Sequence, residues 1–83
     1  MRKSIKIEHR LEARDAAKLS AYAKKYQGQQ IFIEKDERKV NIYSIFGLLS
    51  LEIIGDEEIT IIAENEETIE DIINFLKRMD ING

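Results

Sequence analysis

The sequence predicts an α+β fold, an open-faced β-sandwich of order βαββαβα, and three features carry that prediction. Apolar residues alternate in four short stretches. They recur at helical spacing in two longer ones. Turn residues separate these stretches at Gly28, Asp36-Glu37 and Gly55-Asp56. Four short strands then form one antiparallel sheet, with the helices on one face. At 83 residues the chain is one domain, spanning 1–83, with a core that is small but sufficient.

In chain order, Ser4-Ile5-Lys6-Ile7-Glu8 reads as a half-buried strand with Ile5 and Ile7 inward. His9 to Glu12 is a turn into the first helix, and His9 is expected to be solvated there. Ala16, Leu19, Ser20, Ala23 and Tyr26 make the buried stripe of that helix, and Gly28 is its natural stop. Ile31 to Lys35 and Arg38 to Ile42 form a hairpin around Asp36-Glu37. That turn is weaker than Asp-Gly because glutamate disfavours positive φ.

Ser44 is an N-cap placed before an apolar run, Ile45 to Leu51, that makes a short helix. Leu48 and Leu51 fall on one side of it, and Ile45, Phe46 and Leu49 on another. One face is enough for a core, so the second is either covered by another part of the fold or offered to a partner. Residues 55–58 read as a turn and Ile59 to Ala63 as the last strand. Asn65 caps a final helix striped by Ile69, Ile72, Ile73, Leu76 and Met79. Acidic residues crowd its start, and Lys77 and Arg78 are expected at its negative end.

Composition narrows the chemistry. The chain has no cysteine, which removes disulfides, thiolate nucleophiles and zinc–thiolate sites and fits a reducing compartment. The net charge of −3 argues against direct nucleic-acid binding, because phosphate backbones demand clustered Lys and Arg. No apolar run approaches membrane-spanning length, and the first residues lack an apolar signal core. The acidic groups 56–58 and 64–67 lack calcium-loop spacing, so no metal or other cofactor is expected. Tyr22, Tyr43 and Phe32 belong to the core or a sheet face rather than to a base-stacking surface.

The run Lys35 to Asn41, leading into Ser44-Ile45-Phe46-Gly47-Leu48-Leu49-Ser50-Leu51, resembles HPr, the small phosphocarrier of the bacterial sugar phosphotransferase system. The resemblance covers roughly Ser4 to Met79. Glu12-Ala13-Arg14-Asp15-Ala16-Ala17 falls where that family carries its histidine-alanine-arginine-proline motif. Glu12 takes the place of the phosphoryl-accepting histidine, Arg14 matches the companion arginine, and Asp15 replaces the proline. By resemblance, Glu12 and Arg14 form a degenerate phosphohistidine site, and the chain is not an enzyme.

The same resemblance keeps Ser44. In the Gram-positive branch, the matching serine is phosphorylated by HPr kinase/phosphorylase, and the phosphoprotein is corepressor for a catabolite control repressor. Ile45, Phe46 and Leu49 would be the docking patch. These expectations imply a cytoplasmic regulatory protein of carbon catabolite control. Two alternatives stay open: an unphosphorylated module competing for HPr partners through Glu12, Arg14 and the patch, and a degenerate paralogue with no partner. An acyl phosphate on Glu12 is chemically conceivable but would want a metal.

Overall fold

Alternation places Ile5, Ile7, Ile33, Val40, Ile59 and Ile61 on a common sheet face, and the strand register aligns them. The computed structural model of the chain describes residues 1–82, with side chains to residue 80. The strands are β1 (Arg2–Ile7), β2 (Phe32–Lys35), β3 (Arg38–Asn41) and β4 (Glu57–Ile62). They form one sheet of order β1-β4-β2-β3, antiparallel at every pairing. Ile5 lies opposite Ile59, and Ile33 lies between Ile61 and Val40. The order βαββαβα and the open-faced sheet are those expected from the sequence.

The helices are α1 (Ala13–Ala23), continued by a 3-10 turn at Lys24–Tyr26, then α2 (Ile45–Ser50) and α3 (Glu66–Asn82). The stripe of α1 is buried at Ala16, Leu19, Ser20 and Ala23. Its small residues let α1 lie close to its neighbours. The α3 stripe buries Ile69, Ile72, Ile73 and Leu76, with Met79 at the margin. Asn65 caps α3 by accepting the Thr68 N–H at 2.9 Å. Gly28 adopts φ +107°, a conformation that suits glycine and ends the helical segment.

Local details differ from the sequence-based expectation: Ile31, Ile42 and Ala63 are buried just outside β2, β3 and β4, each of which stops one residue short of them. β1 starts at Arg2 because β4 offers partners out to Ile62, and the Met1 ammonium donates to the Ala63 carbonyl at 2.8 Å. β4 starts at Glu57, inside the expected turn, because Ile7 and Lys6 pair with Glu57 and Glu58. Lys77 and Arg78 do not sit in the last turn of α3, since the helix runs on to Asn82. The hairpin turn has positive φ at both Asp36 (50°) and Glu37 (70°), so the strand register overrides the reluctance of glutamate.

Candidate functional site

Two helix starts carry the candidate residues, and each is built differently. At the first, the loop before α1 is tied down from two sides. The Leu11 N–H donates to the Ile53 carbonyl at 2.9 Å. The N–H groups of Glu8 and His9 both donate to the Asp80 carboxylate at 2.8 Å. The His9 ring also meets that carboxylate, with Nδ1 3.0 Å from Oδ1. His9 is therefore paired with α3 rather than simply solvated, because the fold brings Asp80 under the loop. Burial pushes the Asp80 carboxyl up, but the two N–H groups and the His9 ring outweigh it and hold its pKa below the ordinary range.

Glu12 is the N-cap of α1, in extended backbone at φ −87°, ψ 174°. Its N–H donates to Asp15 Oδ2 at 2.9 Å. Asp15 thus does by side-chain capping what a proline would do by fixing φ. Glu12 and Arg14 are both exposed, and among the described residues no ion pair joins them. Beneath them lies a cleft of about 250 Å³ with an apolar floor that includes Ile7, Leu76 and Met79.

At the second start, Ser44 is exposed and caps α2, its Oγ accepting the Gly47 N–H at 2.9 Å. The residue before it is pinned. The Tyr43 hydroxyl donates to the carbonyls of Tyr26 (2.9 Å) and Gln29 (3.2 Å), while the Tyr43 carbonyl accepts from buried Ser20 at 3.0 Å. The far end of α2 is gripped by the hairpin. Lys35 Nζ donates to the Leu51 and Glu52 carbonyls at 3.0 and 2.6 Å and pairs with Glu57 at 3.0 Å. Arg38 donates to the Ser50 carbonyl at 2.7 Å. Hydrogen bonding to Lys35 holds the Glu57 carboxyl below its usual range against the opposing effect of burial. These groups satisfy carbonyls that a six-residue helix would otherwise leave open.

Leu48 and Leu51 are buried, as the spacing predicts. On the other face Phe46 is 86% exposed and Ile45 39% exposed. Leu49 is the exception in the expected patch: it is half-buried and packs on the core, so it forms the patch's edge. The sequence reading missed Ile54, which is 61% exposed. The signal was the Ile53-Ile54 doublet, since an extended segment sends adjacent side chains to opposite sides. Ile53 is the buried member. Ile54, Ile53 and Leu49 line a groove with Leu11, Glu12 and Ala13, so the two candidate regions share one surface.

A third cluster lies away from both. Asp71 on α3 accepts from the hydroxyls of Tyr22 and Tyr26 and pairs with Lys25 at 2.7 Å. Burial would raise its pKa, but Lys25 and the two tyrosines overcome that and lower it to about 2. Tyr22 also stacks on Phe75 at 4.1 Å. Phe32, by contrast, lies on the open sheet face beneath Lys39.

Comparison with known proteins agrees with this architecture. Residues 2–78 match the family described as the PTS HPr component phosphorylation site. The HPr-like protein Crh of Halalkalibacterium halodurans is 40% identical over 77 residues, covering 89% of this chain and 90% of the relative. The HPr-like protein Crh of Bacillus subtilis is 38% identical over 63 residues, covering 76% and 73%. Among solved structures, HPr-C-His from Thermoanaerobacter tengcongensis superposes with a TM-score of 0.81 at 32% identity, covering 93% of this chain and 91% of the other. With most of its length matched by sequence and by shape, the chain belongs to the HPr family.

Proposed function

We propose that this chain is a regulatory protein of carbon catabolite control, a Crh-like homologue that has lost phosphocarrier chemistry and works through Ser44. The observation that carries this is the state of the Ser44 hydroxyl. It is exposed and accepts one hydrogen bond from Gly47, and among the described residues nothing takes its proton. A kinase base can remove that proton as Oγ attacks the γ-phosphorus of ATP. The Oγ–P bond forms, the bond to the bridging oxygen breaks, and ADP leaves. The phosphoserine adds about −1.5 to −2 charge at the N-terminal end of a helix that is already held at both ends, so the helix persists.

The partners follow from the family. HPr kinase/phosphorylase modifies Ser44 in the cytoplasm. A catabolite control repressor then reads the phosphate together with Ile45, Phe46 and the Leu49 edge. Arg14 acts at the rim, where charge governs encounter and specificity. In this reading Glu12 carries no phosphoryl group, since its carboxylate stands where the family has its phosphoryl-accepting imidazole. The described residues form no helix long and apolar enough to cross a membrane.

Incubation with HPr kinase and ATP is expected to label the protein, and Ser44→Ala to abolish the label. An unlabelled wild type overturns the proposal. The shared groove favours one second reading, an unmodified competitor that binds HPr partners through Glu12 and Leu49 together. Capture of the unmodified protein by a phosphotransferase-system enzyme, lost on Glu12→Lys, would support that reading instead.

A further inference from the structure

Gly47 sits inside α2 and is not in the left-handed region, where glycine alone is at ease. A glycine inside a helix is about fivefold less favourable than alanine, so backbone conformation gives no reason for it. Space does. A β-carbon at position 47 would stand 3.0 Å from Ser44 Oγ, 3.2 Å from Ser44 Cβ and 3.3 Å from Val40 Cβ. Val40 belongs to β3 and cannot yield without disturbing the hairpin. The Ser44 side chain is exposed and is the part that can yield, by a few tenths of an ångström. That shift strains its 2.9 Å bond from the Gly47 N–H.

We infer that Gly47 is a positioning residue for modification at Ser44: the absence of its side chain leaves the hydroxyl in its capping place, with its proton side open. The inference rests on the proposal that Ser44 is phosphorylated. Gly47 touches no reacting atom of the nucleotide. It acts only through the hydroxyl it borders, which a side chain at 47 would push from its capping place.

Two measurements on the full chain test this. The first is the steady-state kinetics of Gly47→Ala with HPr kinase and ATP. We expect kcat to fall about five- to tenfold with KM for the protein held, the loss of one oriented hydrogen bond. Equal kcat in the two proteins overturns the inference and leaves Ser44 phosphorylation standing. The second needs no kinase. Urea unfolding of the wild type, Gly47→Ala, Ser44→Ala and the double variant forms a cycle.

Alanine at 47 is expected to stabilise the helix when position 44 is also alanine and to give no gain beside Ser44. The coupling amounts to about fivefold in the unfolding equilibrium constant. Equal stabilisation in both backgrounds overturns the inference. A wild type that takes no label overturns the phosphorylation proposal and with it the role assigned to Gly47. The cycle then decides separately whether Gly47 clears space for the hydroxyl.

Discussion

The starts of α1 and α2 look alike in sequence, each a polar residue ahead of a helical run, yet they are stabilised in opposite ways. α1 is eleven residues long and buries a stripe of four, so its start is held by the packing of everything behind it. Arg14 projects into solvent, and Glu12 caps the helix together with Asp15. α2 is six residues long and buries only Leu48 within its span. Its start depends on Ser44 and its end on Lys35 and Arg38.

The contrast can be tested by mutation, beginning where the effect is largest. Lys35 is only 13% exposed in its side chain and holds two carbonyls and a carboxylate. Lys35→Met leaves those acceptors without their donor and is expected to lower unfolding free energy by about 1–3 kcal/mol. Glu12→Gln at the other start should stay within about 0.5 kcal/mol. Chemical denaturation compares them, and equal losses would erase the distinction drawn between the two helices.

A smaller difference separates the caps themselves. Ser44→Ala is expected to remove about 1 kcal/mol, as for a typical N-cap. Its largest spectral change should appear at the Gly47 amide, whose partner is gone. If the Gly47 amide signal does not move, the hydroxyl is not capping the helix in solution.

The smallest effect is expected in acid. The Asp71 carboxyl lies at about 2 in the folded protein, against an ordinary 3.8. Its contribution is fully present above the unfolded value and is lost as pH falls through the folded one. Stability should therefore decline between about pH 4 and 2, and Asp71→Asn should flatten that part of the profile. Glu57 and Asp80 are also held low and lose stability in the same direction, so the variant removes only a share. A profile unchanged by Asp71→Asn would mean that the tyrosine–lysine cluster does not bind α1 to α3 in solution.

What the sequence could reveal was what local spacing encodes. The α1 and α3 stripes, the Asn65 and Ser44 caps and the stop at Gly28 all depend on neighbours a few residues apart. The grip of Lys35 on α2 joins positions 16 and 17 residues apart across a turn, and Asp80 meets His9 across 71. No periodicity announces such contacts. The half-burial of Leu49 was equally hidden, because the helical wheel of α2 shows an apolar second face without showing how much of it α1 and the loop at Ile53 cover. The resemblance to HPr filled part of that gap by pointing to Ser44 and Glu12, and the fold places both as N-caps, one on a short helix and one on a long one.

On the proposed function, Ser44 alone takes a phosphoryl group. The most direct measurement is intact-mass and peptide-mapping mass spectrometry after two parallel incubations. One uses HPr kinase with ATP, the other a phosphorylated phosphotransferase-system enzyme. A single acid-stable phosphoryl group on Ser44 from the first, and none from the second, is the predicted result. A phosphoryl group recovered on residue 12, or an unmodified Ser44 after the kinase reaction, would contradict it.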